Sequence, residues 1–212
     1  MNYSKTIREY CLQNKGNVFD VSYEMKTHFD MVPYKTLLKI LNRLEEEGII
    51  KKYSKGLYII VNDDPKQDPI ISFYASDMNG VVVGYAMYNK YELTTHQEKP
   101  IVIYTRAMET TTKNIGDDYQ LIRYPLFIFD KDFKSLIEAL DIIENSPMII
   151  DLDVGQMSNV ICDLLQYYKD EVLRELIRYH KYQYSTLCTL ERMLNDLHIP
   201  NKVMEVMMSN HA

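Results

Sequence analysis

The chain has 212 residues, 46% of them hydrophobic and 25% charged, with a formal net charge of −6. That length holds two modest domains, and no apolar run approaches the ~18–20 residues a membrane span needs, so no membrane association is expected. Cys11, Cys162 and Cys188 are odd in number and far apart, which gives neither a disulfide framework nor a zinc pattern. The first residues, MNYSKTIREYC, carry no apolar stretch behind their charges, so a secretion signal is not expected and a cytoplasmic location is.

Charge is unevenly divided. Residues 1–62 carry ten Lys/Arg against seven Asp/Glu, whereas the remainder carries fourteen against twenty-three. A mildly basic end on an acidic chain fits a nucleic-acid-binding module joined to something that does not bind nucleic acid.

In chain order, Ser4 is placed to cap a first helix running through Ile7, Cys11 and Leu12 to Asn14, with Gly16 as its stop. Val18-Phe19 reads as a short strand and Val21 to His28 as a second helix. Pro33 suits a helix start, because its missing N–H would be unpaired there anyway. From Tyr34, Leu37, Leu41 and Leu44 recur at helical spacing, widened by Leu38 and Ile40, and Gly48 is a natural closing residue. Two β-rich runs, Ile49 to Tyr53 and Leu57 to Val61, then flank a Ser54-Lys55-Gly56 turn. That order is recognition helix followed by wing. Ile7, Cys11, Phe19, Leu37, Leu41, Leu44, Ile50 and Ile59 are expected to form its core.

The face of the third helix opposite its leucines carries Lys35, Lys39, Asn42 and Arg43, types that reach phosphates or hydrogen-bond base edges. Tyr34 stands at its start, and Lys51, Lys52 and Lys55 lie in the hairpin. Double-stranded DNA is the expected partner. Glu45-Glu46-Glu47 would repel phosphate, which assigns contact to the helix's N-terminal half. A solvated basic face on a protein-binding adaptor is the competing reading.

Residues 62–69, NDDPKQDP, form a proline-bounded break. Ile70 to Tyr74 reads as a short strand or helix start. Gly80 to Tyr91, apolar on nearly every side, reads as a buried helix in which Gly84 allows close backbone approach. Ile101 to Tyr104, Tyr119 to Tyr124 and Leu126 to Phe129 read as strands, and Asp132 to Glu144 as a helix capped by Asp130 or Asp132. From Met157 the chain reads as helical to its methionine-rich end at Met204, Met207 and Met208, which would dock on the chain itself or on a partner. The expected class is α+β: a winged helix-turn-helix over residues 1–62, a small α/β domain over 70–150, and a helical C-terminal region over 151–212 packed with it.

The winged helix followed by GVVVGYAMYNKYELTTHQEKPIVIYT resembles the AbiEi family of bacterial type IV antitoxins over roughly residues 1–125. The matching runs are Gly84 to Tyr88, Tyr91 to Gln97, Pro100 to Tyr104, and the Lys55-Gly56-Leu57-Tyr58 wing. The chain departs from the family at Glu92, where glycine is usual, and at Glu98-Lys99, which lengthens the step to Pro100. The resemblance implies a non-catalytic regulator of an abortive-infection system. Such a protein represses its own promoter at inverted repeats and counteracts a nucleotidyltransferase-like toxin without a stable complex. It further implies that Tyr34, Lys35, Lys39, Asn42 and Arg43 enter the major groove, while Lys51, Lys52 and Lys55 touch phosphate or minor groove. The C-terminal region would carry the antitoxin function or join neighbouring protomers.

An enzyme is the class to weigh against this. Ile149-Ile150-Asp151-Leu152-Asp153 reads as a strand end whose alternate carboxylates could hold a divalent cation. Nucleotidyl transfer also needs a Gly-Ser turn upstream, which Asn145-Ser146-Pro147 does not supply, and Asp151 and Asp153 with Gly155 equally suit a turn. His28, His96, His180, His198 and His211 have no metal-ligand spacing. No cofactor or metal is expected.

Overall fold

A computed structural model describes residues 2–62 and 67–209. Helix α1 (Tyr3–Gln13) is capped by Asn2, whose side chain accepts from the Lys5 N–H, so the cap lies two residues ahead of the expected Ser4. Strand β1 (Val18–Asp20) runs into α2 (Val21–Thr27), and the Asp20 carboxylate caps it by accepting from Ser22 and Tyr23. Helix α3 (Tyr34–Glu46) closes in a Schellman motif. Gly48 takes a φ of 72°, its N–H bonds Glu45 O, and Ile49 N–H bonds Leu44 O. Strands β2 (Ile50–Ser54) and β3 (Leu57–Ile60) follow, giving an antiparallel sheet of order β1-β3-β2. Three helices and a three-stranded sheet in this sequence make a winged helix.

One core residue departs from expectation. Successive strand residues face opposite sides, and in β3 it is Tyr58 and Ile60 that join Ile7, Leu37 and Leu41 in the core. Ile59 is half-buried on the other face, where Leu57 and Val18 meet a different cluster.

That second cluster seats the winged helix on the rest of the chain. Helix α4 (Pro69–Tyr74), capped by Asp68, contributes Ile70 and Tyr74. A second sheet follows, of order β4-β5-β7-β6 (β4 Gly80–Val83, β5 Ile101–Thr105, β6 Thr112–Ile115, β7 Tyr119–Arg123). The β5/β7 pair is parallel and both edge pairs are antiparallel. From it Ile103, Ile115 and Leu121 pack against Val18 and Leu57 of the wing sheet.

The other face of the second sheet supports the largest core, built from Val81 and Val83, the long helix α6 (Lys131–Asn145) and the C-terminal helices. These are α7 (Val154–Leu165), α8 (Asp170–Tyr179), α9 (Tyr184–Asp196) and α10 (Val203–Ser209). Helix α10 docks on α8 and α9, burying Val203, Val206 and Met207 while Met208 stays exposed. The class is therefore α+β, with a mixed sheet between an N-terminal winged helix and a helical C-terminal half.

Three expected elements are corrected. Gly80 to Tyr91 is not one helix: β4 ends at Val83, Gly84 turns the chain with a φ of 69°, and α5 (Tyr85–Lys90) follows. Close backbone approach belongs to Gly80, where a Cβ would lie 2.1 Å from Tyr104 O and 2.3 Å from Tyr74 O; around Gly84 the space is open. Leu126 to Phe129 is not a strand, and β6 was not anticipated. Ile149-Ile150 is not a strand either. Asp151 sits in a turn at a φ of 52°, and Asp153 caps α7 by accepting from the Gln156 N–H. The shared strand face that would aim both carboxylates at one cation is absent.

Candidate nucleic-acid interface

Helix α3 is held by Leu37, Ile40, Leu41 and Leu44, all buried. At 100° per residue, Lys35, Lys39, Asn42 and Glu46 fall on the outermost stripe, and each is exposed. Arg43, also exposed, lies toward α1. Lys39 and Arg43, one turn apart, share a groove with Asn2, Tyr3 and Ser4, so the N-terminal turn of α1 lies beside them. Its unpaired N–H groups and the positive end of its dipole favour an anion there. Tyr34 starts the helix on the opposite flank, 54% exposed.

The acidic end of the helix is partly occupied. Glu47 pairs with Arg8 of α1, and Glu45 accepts from the Lys52 N–H of the wing. Both bonds fix the angle at which α3 meets its neighbours.

The hairpin lysines separate. Lys51 is paired with Ile59 and shares the sheet face that carries Val18 and Leu57, turned toward the second sheet. Lys52 is paired with Tyr58 on the α3 face. Beyond it the register shifts between Lys52 and Ser54, and Lys55 occupies the turn with Gly56 at a φ of 75°. All three lysines are exposed, but Lys52 and Lys55 alone lie on or beyond the α3 side. Burial raises the phenol pKa of Tyr53, on the Lys51 side, with smaller contributions from Asp118 and Asp68 and an opposing one from Lys99.

The winged-helix interior also holds a buried carboxylate. Glu24 is 1% exposed and accepts from Tyr10 Oη and His28 Nδ1, each at 2.9 Å. Burial lifts its carboxyl above the usual glutamate range, against the opposing pull of Tyr10 and His28. This trio joins α1 to α2 and its C-cap residue. Glu24 and His28 stand four apart, the spacing of neighbours on a helix, but nothing in the sequence brings Tyr10 to them.

No family model and no curated protein matches the chain. Among solved structures it is similar to the crystal structure of RV2827C protein from Mycobacterium tuberculosis, at 12% identity and a TM-score of 0.45, covering 98% of this chain and 81% of that one. At that level the likeness says nothing of function.

Proposed function

We propose that this protein binds double-stranded DNA through α3 and represses its own promoter, as the antitoxin of a type IV toxin–antitoxin system of the AbiEi kind. The observation that carries the DNA half is the outward stripe of α3. Its Lys35, Lys39, Asn42 and Arg43 are exposed together, with the N-terminus of α1 beside Lys39 and Arg43. On this reading α3 enters the major groove while Lys52, Lys55 and the α1 terminus hold phosphates. Lys51, on the far face of the wing sheet, contributes only long-range charge.

The antitoxin half rests on the resemblance over residues 1–125. Glu92 supports it. It stands at the family's usual glycine and takes a φ of 57°, a left-handed conformation that glycine adopts without strain. The cognate toxin would be a nucleotidyltransferase-like protein opposed without a stable complex.

A mobility-shift titration against the DNA upstream of its own gene, with an unrelated duplex as competitor and at two salt concentrations, tests the reading. The expected result is specific retardation that weakens with salt, at a log–log slope of about −0.9 per phosphate neutralised. No retardation at micromolar protein overturns it and leaves the winged helix as a protein-binding adaptor. Rescue of growth on co-expression with the neighbouring gene tests the antitoxin half separately.

A further inference from the structure

A cleft of about 400 Å³ opens between α5, the second sheet and α6, within the usual size of a small-molecule site. Its walls are the rings of Tyr85, Tyr88 and Tyr104, with Val83 and Val102 beneath them and Met148 at the rim. A recess of about 250 Å³ adjoins it, sharing Tyr104, Asp141 and Asn145 and adding Glu144 and His180.

Asp141 is the distinctive group. Its Oδ2 accepts from Tyr88 Oη at 2.7 Å and from the Gly84 N–H at 3.3 Å. Among the described residues no Lys, Arg or His forms an ion pair with it, and both bonds fall on one oxygen. The Lys99 ammonium at the mouth is already paired with Asp118. Burial raises the Asp141 pKa and Glu144 adds to the rise, against the bonds from Tyr88 and Gly84 and the weaker field of His180, which shares the recess without pairing.

An anion entering this cleft would meet Asp141 and then Glu144. A neutral guest would leave the carboxylate uncompensated. A cation would be drawn both to Asp141 and to the negative faces of the tyrosine rings. We infer that the cleft between α5 and α6 binds a small organic cation, an amine or guanidine with an apolar body. Its charged head lies at Asp141 and its body over Val83, Val102 and Met148. This inference stands apart from the DNA reading.

The test uses the full chain, with 2-phenylethylamine and agmatine as probes and 2-phenylethanol as the neutral counterpart. Binding is followed by calorimetry and by amide shifts at Gly84, Gln120 and Asn145. The expected result is saturable binding of at least one cation, about tenfold or more tighter than the alcohol. The shifts should centre on those three amides, and Asp141→Asn should weaken binding by about tenfold while keeping both bonds to its oxygen. Equal affinity for the alcohol overturns the proposal, as do undiminished binding by Asp141→Asn, shifts elsewhere, or no saturation by either cation. If Asp141→Asn does not fold, the amide shifts of the parent protein decide.

Discussion

The phenol of Tyr74 donates to the Asp20 carboxylate at 2.5 Å, joining α4 to the residue that caps α2. Lys113 of β6 reaches the same oxygen at 2.8 Å. One buried carboxylate thus ends β1, starts α2 and holds the second sheet. A hydrogen bond to a charged, buried group contributes about 1.5–3 kcal/mol. Tyr74→Phe should lower unfolding stability by about that much in urea titration, and a loss below ~0.5 kcal/mol would show the bond to be incidental.

Residues 1–62 expressed alone should not behave as a folded module. Val18 and Leu57, at most 2% exposed in the full chain, would be uncovered, and Asp20 would lose both outside partners. Poor amide dispersion or concentration-dependent association of the fragment is expected. A well-dispersed monomer spectrum would contradict it.

Lys39→Ala with Arg43→Ala should abolish promoter retardation without changing the thermal midpoint, because both side chains are exposed. Lys52→Ala should weaken binding and flatten its salt dependence by about one phosphate contact. Lys51→Ala should leave both nearly unchanged, since the strand turns that residue away from α3. Equal losses at Lys51 and Lys52 would place the DNA on a different face.

Glu24 sets a pH dependence. Its folded-state pKa is raised by burial, so the group favours the folded state fully below the unfolded glutamate value, and that contribution is lost as pH rises through the folded pKa. Tyr10, His28 and Asp20 are the titratable groups that act on it. The stability of the parent relative to Glu24→Gln should therefore fall from pH 4 upward. A difference that stays flat, or rises, removes the raised pKa as its cause.

Gly80→Ala should be severe, since its Cβ would strike two backbone carbonyl oxygens that cannot rotate away. A loss of about 3 kcal/mol is expected in urea titration. Glu92→Gly should act in the opposite sense. Releasing a left-handed non-glycine residue returns about 1 kcal/mol, less the extra freedom of the unfolded chain, so the melting temperature should not fall.

The pattern from α3 through the wing was legible because one leucine stripe, one closing glycine and one tight turn specify it locally. The exposure of Lys35, Lys39, Asn42 and Arg43 follows from that period. What the sequence could not carry was register and docking. The choice of Ile60 over Ile59 for the core, and the parting of Lys51 from Lys52, depend on which face of the wing meets α3 and which meets the second sheet. Gly80 to Tyr91 misled because a strand and a helix both buried look alike in composition, and only the left-handed Gly84 divides them. Strand β6, Thr112-Lys113-Asn114-Ile115, has one buried side chain and no apolar run to announce it. The cleft at Asp141 draws on β4, α5, β5, β7 and α6, distant in the chain, so no local spacing could reveal it.

The second sheet is one strand thick between two unlike neighbours. Along β5, Val102 and Tyr104 border the cleft, while Ile103 between them packs beneath the wing sheet. A slide of this strand by a single position would exchange the two sets outright. The register of β5 is therefore fixed from both sides, by the cleft walls on one face and by the packing around Val18 and Leu57 on the other.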